Sequence, residues 1–245
     1  MKDVYEKFAF DYDEFEPIDE YQKTFFANLF KEHNVNTILD CACGTGQHLF
    51  MFSEMGFCVV GSDYSESMLE VAKRNFEKHR KEISLRQCDF RYLEQKHTGT
   101  FDAVVCLTSA LPHLHTDTDL VTALKSMKNR LNKDGLLVLT QGYTHFTLSS
   151  FPAIQVIVNR KDFSRIYVKE QDDKFQTVHI LDLFHSENRT ENNQYDMTYR
   201  IILDDEYKRL LFEAGFEDVH IYGDYDMSSY TEKSRRLIVV AKRIE

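Results

Sequence analysis

The sequence predicts an α/β protein: a mostly parallel sheet with helices on both faces. Three observations carry this reading. Short apolar runs alternate with longer segments of helical periodicity as far as Thr140. The runs are apolar throughout, as strands covered on both faces are. A glycine-rich turn, Gly44-Thr45-Gly46, joins the first such run to the first following helix.

Each element follows from its residues. Residues 19–32 (DEYQKTFFANLFKE) read as a helix with Phe25, Phe26, Leu29 and Phe30 on one side. Thr37-Ile38-Leu39 is a short strand ending at Asp40, and the helix after the glycine turn carries Leu49, Phe50 and Phe52. Phe57–Gly61 is a second strand ending near Asp63. Ser65 suits the N-cap of a helix that turns Met68, Leu69 and Ala72 inward. Ile83–Gln87 and Phe101–Leu107 continue the strands, and Asp119–Leu131 is a helix. The turn Asn132–Gly135 leads into a fifth strand, Leu136–Thr140.

The alternation then breaks. Phe163–Lys169, Phe175–Phe184 and Tyr195–Leu203 have strand character and are separated by polar turns, which predicts an inserted antiparallel meander. Asp204–Ala214 is a helix stopped by Gly215. Phe216–Tyr222 and Arg236–Ala241 close the sheet, making seven strands in all. The expected organisation is one domain over 1–245, with an N-terminal helical cap at 1–32 and an inserted subdomain at 146–203.

Composition narrows the function. A net charge of −10 disfavours a phosphate backbone as partner, so a small-molecule substrate is expected instead of nucleic acid. No apolar run is long enough to span a membrane, and the start lacks the pattern of a signal peptide. The five cysteines are odd in number and sit in or beside strand-like runs, which fits a reducing cytoplasm. Cys41-x-Cys43 has no second pair at zinc spacing, so no metal is expected.

The glycine turn is the informative feature. It lets a ligand approach the backbone, and Asp63, ending the second strand, is placed to accept bonds from ribose hydroxyls. Nicotinamide sites share this logic but use G-x-G-x-x-G, and here Leu49 stands where the third glycine would be. Asp40, ending the first strand, would repel a pyrophosphate and welcome an ammonium. S-adenosylmethionine, with an ammonium, a carboxylate and a ribose but no phosphate, suits this set better. A nucleotide-dependent oxidoreductase remains the alternative, as does a non-catalytic protein that binds S-adenosylmethionine.

The segments ILDCACGTGQH, GSDYSESMLEVAKRN, QCDF and FDAVVCLTSALPHL together resemble the successive motifs of class I methyltransferases, which have a Rossmann-like fold. DCACGTG, FDAVVCL and the insertion after the fifth strand are similar to the glycine N-methyltransferase subgroup. The resemblance implies transfer of a methyl from S-adenosylmethionine to a small acceptor, an amine in first place. It implies that Ala42, Gly44 and Gly46 line the methionine part and that Asp63 holds the ribose. Tyr64 and Met68 would pack on the adenine, with Asp89 and Phe90 at its amino edge. Leu107 would lie near the reactive sulfur. The subgroup's carboxylate-binding Arg after the fifth strand has no counterpart in Gln141-Gly142-Tyr143, which argues against glycine itself.

A sulfonium cation is stabilised by aromatic faces. Nine aromatics lie in the first 30 residues, and Tyr12 is the best candidate to close over the donor. His113, after the fourth strand, and Tyr143, after the fifth, are the candidate catalytic groups, with His145 beside them. Arg165, Tyr167, His179 and Arg200 of the meander are candidates for facing the pocket, and strand register decides which do.

Overall fold

A computed structural model describes Tyr5, Ala9, Tyr12–Glu14 and residues 18–186 and 189–244. Helix α1 (Glu20–Glu32) is capped by Asp19, whose side chain accepts from the Gln22 N–H. Strand β1 (Thr37–Asp40) leads through the glycine turn into α2 (Gln47–Glu54). β2 (Cys58–Asp63), α3 (Glu66–Lys78), β3 (Ser84–Gln87), β4 (Phe101–Cys106), α4 (Asp117–Asn129) and β5 (Leu131–Gln141) complete the alternating part. After the insertion come α6 (Asp204–Glu213), β10 (Asp218–Tyr222) and β11 (Leu237–Lys242). The seven-stranded sheet has the order β10-β11-β5-β4-β1-β2-β3. Only the pairings of β11 with β5 and β10 are antiparallel.

The apolar runs do what double coverage requires. In β4, Ala103 and Val105 join a core with Phe26 and Phe30 of α1, while Val104 and Cys106 join a core with Leu120 and Leu124 of α4 and Leu210 of α6. Phe26, Phe30 and Phe52 are fully buried and stack edge-on or tilted at 5.0–5.5 Å. Each such side chain contributes about 1.5–3 kcal/mol by leaving water. The phenylalanines of α1 are thus core residues. Phe8, Phe10 and Phe15 of the expected cap lie outside the described residues.

The insertion runs through α5 (His145–Ser150), β6 (Ile154–Asn159), β7 (Phe163–Gln171), β8 (Phe175–His185) and β9 (Thr190–Arg200), forming a four-stranded sheet in the order β6-β7-β8-β9. The sequence predicts three strands. The fourth, β6, is an edge strand with Ile154 and Val156 63% and 62% exposed, so its apolar residues do not alternate towards a core. β9 begins earlier than predicted because the polar stretch Glu191–Gln194 pairs along β8. The expected turn at Asn132–Gly135 lies inside β5 as an irregularity. Phe101 pairs with Leu131, Ala103 pairs with Leu136, and Asp134 takes a left-handed φ of 63°. No helix among the described residues is long and apolar enough to cross a membrane.

Candidate active site

The carboxyl ends of β1, β2 and β4 converge on a cavity of about 520 Å³. Its wall includes Tyr12, Asp40, Ala42, Gly44, Asp63, Tyr64, Met68, Asp89, Phe90 and Leu107, so the structure brings together nearly all the predicted donor-site residues. Gly46 is set back. Its φ of +84° begins α2, and an added Cβ would lie 3.2 Å from the Ala72 Cβ, so it serves the turn and the approach of α3. The missing third glycine also has a structural counterpart. A Cβ on Gly61 of β2 would fall 2.4 Å from the Leu49 side chain, so the glycine that lets helix and strand approach sits on the strand.

The turn is held by carboxylates. Asp40 is 2% exposed and accepts from the Ala42 N–H at 3.2 Å. Burial, with Asp63 nearby, pushes the Asp40 carboxyl up to about 7. Asp63 accepts from the Gly44 N–H at 2.8 Å and the Ser65 N–H at 2.9 Å. Asp89 caps the 3-10 turn Phe90–Gln95 and pairs with Arg91, which also reaches Asp119 at 2.7 Å. A buried carboxyl with no cation beside it among the described residues, next to an open glycine turn, fits an ammonium-bearing cofactor with a ribose.

The N-terminal residues close one side. Asp13 bonds Thr45 Oγ1, Gln47 at 2.9 Å and Asn75 at 2.8 Å, tying the single turn Tyr12–Glu14 to the start of α2 and to the last turns of α3. Nothing in the sequence singles out Asp13, because its partners lie 32–62 residues away. Tyr5 and Tyr12 meet edge-to-face at 6.2 Å.

A second cavity, of about 340 Å³, adjoins the first and shares Tyr5, Tyr12, Thr108 and Met197 with it. Its wall comes from the end of β5, including Gln141, Gly142 and Tyr143, and from the inner face of the meander. Register settles that face. Tyr167 lines the cavity, whereas Arg165 is buried in a pair with Asp182 at 2.6 Å. His179 faces the other way, with Asp196 at 2.7 Å, and Arg200 is bound to Asp117 and Glu206.

His113 stands on the wall of the first cavity, 2.7 Å from the Tyr5 hydroxyl and with its ring 4.6 Å from that of Tyr199. Burial lowers its pKa to about 4 and raises that of Tyr5, so both are neutral at pH 7. Tyr143 packs on Tyr199 at 5.2 Å, one ring further into the second cavity. His145 heads α5 near Asp204, 3.7 Å away. Between the cavities, Thr108 and Ser109 both adopt left-handed φ, 53° and 62°. Sequence gives no sign of this turn, since neither residue is glycine.

The sheet order and the glycine turn beside two acidic strand ends define a class I methyltransferase architecture, and comparison with known proteins agrees. Residues 38–135 match the family described as "Methyltransferase domain". The glycine/sarcosine N-methyltransferase of Parasynechococcus marenigrum is 30% identical over 208 residues, covering 82% of this chain and 70% of that protein. A solved S-adenosylmethionine-dependent methyltransferase from Clostridium acetobutylicum superposes with a TM-score of 0.82 at 18% identity, covering 97% and 98% of the two chains. A sugar N-methyltransferase from Streptoalloteichus gives 0.79 at 21%, covering 100% and 94%. The chain belongs to the S-adenosylmethionine-dependent methyltransferases related to glycine N-methyltransferase, and S-adenosylmethionine is its cofactor. The oxidoreductase alternative is thereby set aside.

Proposed function

We propose that this enzyme methylates an amine of a small molecule held in the second cavity. The observation that carries the reading is the junction of the two cavities at Tyr5, Tyr12, Thr108 and Met197, which lets an acceptor on the meander side meet a donor on the sheet side. Relatives named for glycine, sarcosine and sugar amines support nitrogen as the acceptor atom. Bound S-adenosylmethionine supplies an electrophilic methyl on a sulfonium. In this reading Asp40 binds the ammonium, and Ala42 and Gly44 border the methionine part while Gly46 shapes their turn. Asp63 takes the ribose, and Tyr64, Met68, Asp89 and Phe90 take the adenine. Leu107 and Tyr12 flank the reacting end.

Orientation carries most of the chemistry, since enclosing two reactants in line is worth about 7–11 kcal/mol. His113, kept neutral by burial and held against the Tyr5 hydroxyl, orients the acceptor amine beside the donor. Tyr143 orients the acceptor through its ring. The test is a cavity-filling variant, Val178→Phe, on the meander wall. Affinity for S-adenosylhomocysteine should stay within about twofold while methyl transfer to amines falls at least about tenfold. Unchanged transfer would place the acceptor elsewhere.

A further inference from the structure

The two cavities are sorted by charge. The chain has 40 acidic and 30 basic residues, and the first cavity is lined by five acids, Asp40, Asp63, Asp89, Asp119 and Asp196, against one arginine, Arg91, which pairs with Asp89 and Asp119. Among the described residues lining the second cavity there is no Asp or Glu, but there are two cations, Lys169 and Arg236. An acidic protein has kept acids out of one pocket and placed positive charge there.

The two cations are not equivalent. Arg236 lies over the Tyr225 ring at 5.0 Å and has Asp224 at 3.4 Å, so its charge is already answered at the rim. Lys169 projects from β7 on the cavity face, in the cross-strand row Lys169–Val178–Met197. Met197 lies on the wall shared with the donor cavity. The ammonium of Lys169 sits 5.3 Å from the centre of the Phe151 ring and has no ion pair with a carboxylate among the described residues. Partial burial disfavours its charged form, and no acid among the described residues offsets that cost. A ring face answers only part of a desolvated cation's demand. An anionic group on the ligand would answer the rest.

We propose that the acceptor is an amine that also carries an acidic group, a carboxylate or a phosphate, and that Lys169 holds that group at the meander side of the second cavity. The inference rests on the reading that this cavity takes the acceptor. It deepens that reading by giving one end of the acceptor a charge and a partner. Gly142, on the opposite wall, leaves space, since an added Cβ there would meet nothing within 4 Å. Lys169 is thus a specificity residue that acts away from the transferred methyl.

The experiment uses matched amines with the full-length enzyme and labelled donor. Propylamine is set against 4-aminobutanoate and 3-aminopropylphosphonate, and glucosamine against glucosamine 6-phosphate. Acid-bearing members should be methylated with kcat/KM about 10–100-fold above their uncharged partners, the range of one charge-assisted bond. They should also raise Tm in the presence of S-adenosylhomocysteine. Lys169→Met should erase that preference through KM, and Lys169→Arg should restore most of it. Affinity for S-adenosylhomocysteine, read by calorimetry, should not move in either variant. The carboxylate and phosphate arms tell which acid is used. Equal use of charged and uncharged amines, or a preference that survives Lys169→Met, overturns the proposal while leaving the amine reading intact. Transfer to none of these amines in either form overturns the amine reading and the proposal with it.

Discussion

Gly44 and Asp63 are joined by a 2.8 Å hydrogen bond, from the backbone N–H of the glycine to Oδ2 of the carboxylate. The bond links the first glycine turn to the end of the neighbouring strand, so the residue assigned to the ribose also shapes the turn beside it. Its other oxygen accepts from the Ser65 N–H at the start of α3. Asp63→Ala should therefore fail twice. Loss of two charge-assisted bonds should cost about 1–3 kcal/mol of stability. Affinity for S-adenosylhomocysteine should fall at least about tenfold. Calorimetry and thermal melting check the two effects separately, and affinity unchanged in Asp63→Ala would remove Asp63 from the ribose.

Asp40 gives a pH prediction with a definite sign. Its folded-state pKa is raised from 3.8 to about 7 by burial. The unfolded chain loses this proton first, so the contribution to stability is present below about pH 4 and is lost as pH rises through 7. A ligand ammonium favours the ionised carboxylate. Donor affinity should rise between pH 6 and 8, with release of up to one proton from Asp40. Calorimetry in buffers of different ionisation enthalpy measures that proton. In Asp40→Asn the release should vanish, and the apo protein should lose the stability decline that Asp40 causes between about pH 4 and 7.

Much of the site is legible in sequence because it is built from local grammar. Asp40, Gly44, Asp63 and Ser65 sit at strand ends, in a glycine turn and at an N-cap, where nearby residues dictate the conformation. What escapes reading comes from distant partners. Asp13 acquires its role only when α2 and α3 lie beside it, and Lys169 only when β7 is set in register with β8. The strand β6 is invisible for a related reason, since an exposed edge carries no burial pattern.

His113 should titrate far from its ordinary range. Burial lowers its pKa to about 4, so the folded state resists a proton that the unfolded chain accepts near 6.5. Its contribution to stability is present above about pH 6.5 and is lost as pH falls towards 4. Two-dimensional NMR of the imidazole resonances, with His113→Gln for assignment, should find the His113 ring still neutral at pH 5, as should be the His48 and His97 rings, whose pKa burial also lowers to about 4. A His113 pKa above 6 would show that the ring is solvated and not enclosed between Tyr5 and Tyr199.

Thr140 holds the strained turn that separates the two cavities. Its Oγ1 accepts from the Thr108 N–H and its carbonyl from the Ser109 N–H, each at 2.9 Å. Those two residues adopt φ of 53° and 62°. Left-handed backbone at a non-glycine residue costs about 1–3 kcal/mol, and a β-branched threonine is among the least suited to it. The bonds from Thr140 are what keep the turn in place. Thr140→Val preserves shape but leaves the Thr108 N–H without its acceptor, which should cost about 1–3 kcal/mol. Thr108 lies on the wall shared by the two cavities, so under the proposed assignment of donor and acceptor kcat should fall more than donor affinity. Thr140→Ser retains the hydroxyl and should recover both stability and kcat. Thr108→Gly takes up the same φ without a Cβ and should raise Tm in the Thr140→Val background. Thermal melts and steady-state kinetics on the four variants, including the double one, read this out. If Thr140→Val melts and turns over like the parent, the turn is held by something other than Thr140.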